Sequence, residues 1–193
     1  MATLLDLRAA VLPNARWLAA GPDVAASTAA GPDIAWVRVM RGGSPAFDAL
    51  DPGDLAIIGR RALAAVSSES EAGDGVASIV RACVEAGIGG IVIVGDGPPG
   101  SALDADLVGP AAAAGLPVLD AGPGDPMAIE RSAIGFLINH RAELERQATL
   151  LETRLEEVAL GGGGPEGLAA AIAGFLARPI AIEGRGGVTL AVH

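Results

Sequence analysis

Two short apolar runs decide the fold: Leu55-Ala56-Ile57-Ile58-Gly59 and Ile91-Val92-Ile93-Val94-Gly95. Neither run alternates apolar with polar residues, and this pattern is typical of a strand that is buried on both faces of a sheet. Between them, residues 76–86 have the composition of a helix, which Gly87 ends. A helix between two buried strands predicts a right-handed βαβ crossover, and therefore a parallel sheet covered by helices.

Such sheets bind ligands at the carboxyl ends of their strands, so the residues that follow each strand are candidates for a site. Two arginines follow the first run, and a glycine-rich loop with one aspartate follows the second. A further predicted strand, residues 116–120, ends in an aspartate. The candidate ligand-binding residues are Arg60, Arg61, Gly95, Asp96, Gly97 and Asp120.

Each of these candidates has a functional and a structural interpretation. Fixed guanidiniums at Arg60 and Arg61 suit a carboxylate or phosphate, but they also suit a solvated turn or a salt bridge to nearby acids. The loop 95–97 lets a ligand approach the backbone while Asp96 accepts hydrogen bonds, and it serves equally as a plain connection. Asp120 fits either the rim of the site or a helix cap.

The segments around the crossover predict the remainder of one α/β domain over residues 1–124. Its sheet is mostly parallel, has about five strands and is flanked by helices. The predicted helices are residues 3–12, 76–86 and 104–114, and the predicted strands are 15–19, 34–40, 55–59, 91–94 and 116–120.

Nothing breaks helix between Pro126 and Leu160, so residues 125–160 predict one long helix. Apolar residues recur along it at near-heptad spacing, while charges crowd the other face, as in a short coiled coil. The helix therefore predicts a homodimer, although an amphipathic helix lying on its own domain has the same pattern. The candidate dimerisation residues are Leu137, Leu144, Leu151, Leu155 and Val158.

Residues 161–193 follow a run of four glycines and predict a small helix, 167–176, with two short strands, 179–182 and 187–192. A helix and one hairpin bury little surface by themselves. We interpret this α+β segment as the start of a second domain that the chain leaves incomplete.

Composition excludes several classes of protein. The formal net charge of −10, with thirteen arginines and no lysine, argues against direct binding of a nucleic-acid backbone. The single cysteine, Cys83, excludes an internal disulfide and indicates a reducing cytoplasm. We expect a cytoplasmic protein, because the apolar stretches are too short for a membrane span and the amino terminus lacks the features of a secretory signal.

The sequence carries no recognisable catalytic or cofactor motif. Two histidines and one cysteine do not make a zinc site, and no Gly-x-Ser-x-Gly elbow is present. The one Gly-x-Gly-x-x-Gly match, residues 95–100, contains two prolines that remove the N–H groups needed to cradle a pyrophosphate. We therefore expect no metal, no cofactor and no enzymatic activity.

Four segments in order resemble the amino-terminal domain of PucR-type (purine-catabolism-regulator-like) bacterial transcriptional regulators. The resemblance lies in the tryptophan strand, the strand after Asp-Pro-Gly-Asp, a helix ending in Glu-Ala-Gly, and the Gly-Leu-Pro-Val-Leu strand. It covers roughly residues 3–182. The segments are residues 34–39, 50–59, 83–91 and 113–119.

The resemblance implies the ligand-sensing and dimerising part of a regulator, with a GAF-like domain beginning after residue 160. DNA binding would belong to a helix-turn-helix domain that this chain lacks. The chain departs from the family at residues 58–60, where Ile-Gly-Arg replaces two threonines and a glycine, so a different ligand, or none, is implied there. A protein-interaction module without a ligand and a small α/β enzyme are the alternative functions.

Overall fold

The computed structural model describes residues 2–21, 31–42, 46–69, 75–97 and 101–193. The chain forms two compact units, residues 1–140 and 141–193, and the division falls within its longest helix. Among the described residues, no helix combines the length and the apolar composition that crossing a bilayer requires.

A five-stranded mixed sheet forms the centre of the first unit. In spatial order its strands are β2 (Arg16–Ala19), β7 (Val118–Asp120), β6 (Gly90–Val94), β5 (Asp54–Gly59) and β4 (Trp36–Val39). The last four strands are parallel, while β2 is antiparallel to β7. This confirms the predicted α/β class and strand number, with one antiparallel edge strand.

Helices cover both faces of this sheet, which explains the lack of polar alternation in β5 and β6. Helices α2 (Arg60–Glu69), α3 (Gly75–Ala86) and α4 (Ala102–Ala113) pack on one face. The other face is covered by α1 (Leu4–Val11) and by the first part of α5 (Pro126–Leu160). Alternate strand residues therefore enter two separate apolar clusters.

Helix α2 is the longest element that the sequence did not predict; the short strand β1 (Ala2–Thr3) was not predicted either. It begins at the residue that follows β5, so Arg60 and Arg61 lie on a helix and not in a turn. The available signal was Leu63 and Val66, three positions apart in an alanine-rich stretch, and both pack into the core. The predicted strand 34–40 is divided into two strands, Asp33–Ile34 and Trp36–Val39, which belong to different sheets. The remaining predicted elements differ from the observed ones by a few residues at their ends.

The start of the chain is tied down by a reciprocal cap. Thr3 Oγ1 accepts a hydrogen bond from the Asp6 amide at 3.1 Å, and Asp6 Oδ2 accepts one from the Thr3 amide at 3.0 Å. Such a capping box satisfies two of the amides that a helix start leaves unpaired. It fixes α1 beside the small antiparallel pair β1 (Ala2–Thr3) and β3 (Asp33–Ile34).

The second unit contains the last twenty residues of α5, then α6 (Gly164–Leu176) and the antiparallel hairpin β8 (Ala181–Glu183) and β9 (Thr189–Val192). One face of the hairpin packs on α6 through small side chains: Ala169, Ala173 and Ala191 are buried. On β9, Leu190 and Val192 alternate with Ala191 and are exposed. The hairpin is therefore covered on one face only.

Candidate functional site

Three neighbouring parallel strands end at the same level and place the candidate residues together. Gly59 of β5 pairs with Val94 of β6, and Ile93 of β6 pairs with Asp120 of β7. Arg60 starts α2 directly after β5, while residues 95–97 follow β6. The carboxyl edge of the sheet thus carries Arg60, Gly95 and Asp120, as the sequence predicted.

The Arg60 guanidinium cross-links the segments around this edge. Its Nε donates to Asp104 Oδ1 at 3.2 Å, and its Nη2 donates to Asp104 Oδ2 at 3.1 Å and to Asp120 Oδ1 at 3.1 Å. Its Nη1 donates to the Gly95 carbonyl oxygen at 2.8 Å. One side chain, only 7% exposed, therefore joins α2, α4, β7 and the loop after β6.

Asp120 connects this buried network to two further residues, Gly122 and Arg16. Its Oδ1 also accepts the Gly122 amide at 2.8 Å, and its Oδ2 accepts Arg16 Nη2 at 3.3 Å. Burial by itself raises the pKa of the Asp120 carboxyl, but these hydrogen bonds outweigh it, and the pKa lies below its usual value. Burial likewise opposes the charge on Arg60, yet its two carboxylate partners raise the pKa of that guanidinium. Arg60 and Asp120 are therefore both ionised at neutral pH.

Asp104 is a member of this network that the sequence did not predict. It is buried in the first turn of α4, where its amide donates to Ser101 Oγ at 3.2 Å. Acids are common in the first turn of a helix, where they interact favourably with the helix dipole. The sequence around Asp104 therefore did not indicate that this carboxylate is buried. Because Asp104 and Asp120 both accept hydrogen bonds from Arg60, two acids share one arginine.

A cleft of about 250 Å³ opens beside Arg60, between the strand ends and the start of α5. Asp120, which the sequence predicted as a ligand-binding residue, is buried and does not line this cleft. The lining residues come from β5 and α2, from β6 and its following loop, and from the connection into α5. They are Gly59, Arg60, Arg61, Val94, Gly95, Asp96, Gly124, Asp125 and Pro126.

Two glycines of the loop after β6 permit the close approach of backbone to Arg60. Gly95 has a φ of +119°, which side chains rarely allow. A Cβ on Gly97 would lie 3.1 Å from Arg60 Cδ. Residues 98–100, which complete the predicted glycine-rich motif, lie outside the described residues. The glycines at 95 and 97 therefore allow the loop backbone to lie against the Arg60 side chain.

A second, larger groove of about 510 Å³ runs along the edge strand β4 and the first turn of α5. Its arginines are already paired: Arg38 Nε donates to Asp54 at 3.0 Å, and Arg41 lies 2.5 Å from Asp48. The cleft at the strand ends is the better candidate site, because its exposed charged groups have no such partners among the described residues.

The dimerisation candidates divide into two groups. Leu137 is buried against the first unit, in the same apolar cluster as Leu7 and Ala133, so the helix start does lie on its own domain. Leu144 is 42% exposed, and the other three are half-buried. The stripe that remains for a second helix is formed by Leu144, Leu151, Leu155 and Val158.

Among the described residues, no group of three or more histidine, cysteine, aspartate or glutamate side chains is placed to hold a metal ion. Cys83 is fully buried, and burial raises the pKa of its thiol to about 12. His140 stacks on Phe136 with ring centroids 5.6 Å apart. Cys83 is therefore a residue of the core, and His140 packs against an aromatic side chain of its own helix.

Comparison with known proteins gives no match: no family model, no curated protein and no solved structure is similar to this chain at a significant level.

Proposed function

We propose that this chain is the ligand-sensing and dimerising part of a bacterial transcriptional regulator of the purine-catabolism-regulator type. The observation that carries the proposal is the position of the cleft, which is lined both by strand ends and by the first residues of α5. A small molecule in the cleft would touch Asp125 and Pro126, the residues that begin this helix. Contact with DNA is assigned to a domain outside this chain.

The proposed signal is a change at the start of α5 on binding. Met127 donates its amide to Asp125 Oδ1 at 3.1 Å, so the cap of the helix belongs to the lining of the cleft. A ligand that binds Asp125 competes with or reinforces this cap, and a cap contributes on the order of 1 kcal/mol to a helix. That is enough to shift an equilibrium between two helix arrangements about fivefold.

Dimerisation in this proposal uses the part of α5 that follows residue 140. Without Leu137 the stripe covers about two heptads, and isolated helices of that length are marginal in water. We therefore expect a weak dimer whose association responds to small changes. This is a useful property for a switch, since a strong coiled coil would resist them.

The first experiment is a thermal-shift screen of the purified chain against purines, ureides, amino acids and small carboxylates. A ligand at about 100 times its dissociation constant adds roughly 2.7 kcal/mol and raises the melting temperature by several degrees. A reproducible shift from one chemical class supports a sensor. No shift from any compound overturns the ligand-sensing function.

A variant that fills the cleft, compared with a control variant, tests whether the ligand binds there. A Cβ on Gly124 would lie at an ordinary contact distance, 3.6 Å, from Val94 Cγ1, so Gly124→Leu fills the cleft without a backbone clash. Gly109→Leu adds the same side chain to α4, where a Cβ meets nothing within 4 Å. We expect Gly124→Leu to abolish the shift and Gly109→Leu to retain it.

The response of the helix is measured with labels on Glu156→Cys. The buried thiol of Cys83, with a pKa of about 12, does not compete for a thiol-reactive label. In a dimer, the distance between the two labels should change when the ligand found above is added. An unchanged distance with confirmed binding would leave a ligand-binding domain but would remove its proposed signalling role.

An interaction module without a ligand is the second candidate, and the second unit favours it. Eight of the twelve exposed large apolar side chains among the described residues lie in residues 141–193. Clustered exposed apolar residues mark interaction surfaces. A negative ligand screen together with self-association that is lost in Leu190→Ser would favour this function.

A further inference from the structure

We propose that the cleft beside Arg60 takes a small zwitterion of the α-amino acid class, with its carboxylate on Arg61 and its ammonium group between Asp96 and Asp125. This inference rests on the proposed sensing function and names the ligand class of the same site. It follows from which charged groups of the cleft are already used and which are left.

Arg60 has little hydrogen-bonding capacity left for a ligand anion. Its Nε and Nη2 are bonded to the carboxylates of Asp104 and Asp120, and its Nη1 is bonded to the Gly95 carbonyl. Four of its five N–H groups are therefore used, so a ligand carboxylate that accepted two hydrogen bonds from Arg60 would have to displace one of these buried partners. The buried arginine therefore shapes the cleft but leaves the recognition of charge to other residues.

Three exposed acidic or basic side chains remain in the lining: Arg61, Asp96 and Asp125. None of them forms an ion pair with another described residue, although opposite charges line one small cleft. Asp125 uses Oδ1 to cap α5, and its other oxygen has no partner among the described residues. Opposite charges that face one cavity without meeting are what a molecule carrying both charges can bridge.

The charge balance of the site argues against a simple anion and against a simple cation. The strand ends carry three guanidiniums, on Arg16, Arg60 and Arg61, and four carboxylates, on Asp96, Asp104, Asp120 and Asp125. An anion would add to this negative excess, whereas a cation would leave Arg61 unpaired beside the bound ligand. A zwitterion adds no net charge and satisfies both signs.

The size of the cleft agrees with this class of ligand. A volume of about 250 Å³ is smaller than that of most pockets for drug-sized molecules, which begin near 300 Å³. The apolar part of the lining, from Val94 and Pro126, suits a short side chain. Among small metabolites, an α-amino acid combines this size with two opposite charges a few bonds apart.

The test uses calorimetry with the full chain and three matched forms of each probe: the free amino acid, its N-acetyl form and its primary amide. The probes are alanine, serine and leucine, preceded by a thermal-shift comparison of the common amino acids. Removing either charge should weaken binding at least tenfold, since a charge-assisted hydrogen bond is worth about 1.4 kcal/mol or more.

Variants assign each charge to its residue. Arg61→Gln should bind the amide as well as it binds the free amino acid, and Asp96→Asn should lose its preference for the free amino acid over the N-acetyl form. Arg81→Gln and Asp106→Asn make the same charge changes at exposed positions that do not line the cleft, and they should bind like the parent chain.

Two results overturn the inference, and they differ from failure of the sensing function. If the N-acetyl form binds as well as the free amino acid, the ligand is an anion; the sensing function stands but the zwitterion inference fails. If no free amino acid binds while another class gives a shift that Gly124→Leu abolishes, the same conclusion holds. If no compound of any class binds, both fail together.

Discussion

The two units of the chain bury different kinds of side chain. In the first, the sheet and its helices enclose leucine, isoleucine and valine, of which Leu55, Ile91 and Leu119 are almost wholly buried. In the second, all of which the structure describes, the buried apolar residues are three alanines, and the larger apolar side chains are exposed or half-exposed. The first unit is stabilised by its own core, and the second lacks an equivalent one.

Polar interactions differ in the same way. The ion pairs of Arg60 in the first unit lie almost out of solvent contact. Those of the second unit, such as Arg146–Glu143 and Arg154–Glu157, join exposed residues one turn apart on a helix. Exposed pairs of this kind add little to stability. The first unit therefore determines the folding stability, while the second unit offers an exposed apolar surface.

The largest effect is expected from breaking the buried network. Arg60→Met leaves Asp104 and Asp120 without the cation that they share, and removing one partner of a buried pair costs about 3–5 kcal/mol. Urea unfolding at neutral pH measures the loss. Arg61→Met, at the next and exposed position, should change stability by no more than about 0.5 kcal/mol. Equal losses in both variants would contradict the structural role of Arg60.

The same substitution at a buried leucine of the first unit and at an exposed leucine of the second unit measures how much each contributes to stability. Leu119 is fully buried in β7, and Leu190 in β9 is 50% exposed. Leu119→Ala should cost about 2–5 kcal/mol, because it leaves a cavity. Leu190→Ala should cost about 0.5 kcal/mol or less. A large cost at Leu190 in a concentration-dependent unfolding experiment would show that this face is covered in solution, by another copy.

We expect acid to lower the stability of the first unit by protonating Asp120. The pKa of its carboxyl lies below the usual value in the folded state, so this group stabilises the fold above the unfolded pKa of about 3.9. That contribution is lost as the pH falls from about 5 through the folded pKa. Asp120→Asn should lower stability at pH 7 and flatten the pH dependence below about pH 5. An unchanged slope in an acid titration followed by circular dichroism would contradict this.

The smallest effect is expected on the exposed part of α5. Hydrogen bonds from Arg146 and Gln147 lower the pKa of Glu143 to about 2, yet the group is fully in solvent. Glu143→Gln should reduce helicity slightly at low ionic strength. The difference should become smaller near 1 M salt, where the screening length falls to about 3 Å. A loss that persists in high salt would indicate that Glu143 has a further partner.

Sequence reasoning succeeded where burial produces an unbroken apolar pattern. Strands β5 and β6 and the whole extent of α5 followed directly from composition, because nothing polar interrupts the former and nothing breaks the latter. The antiparallel position of β2 did not follow, since pairing direction depends on contacts about 100 residues apart.

The sequence predicted where the candidate residues lie, but not all of the contacts that they make. Arg60, Gly95 and Asp120 do meet at the strand ends, because strand register places them there. Asp104 was missed, since a buried acid at a helix start has the same sequence pattern as an exposed one. Leu137 shares its heptad spacing with Leu144, and only the packing shows that it belongs to the domain core.

The pairing of β2 with β7 sets the order in which the molecule can be completed. Arg16 and Asp120 are 104 positions apart, and they join strands at the first and last places of the sheet in chain order. During synthesis β2 leaves the ribosome early but has no partner strand until residue 120 has emerged. Long-range closure of this kind slows folding. We therefore expect a late step in which the amino-terminal strand docks onto a preformed parallel core.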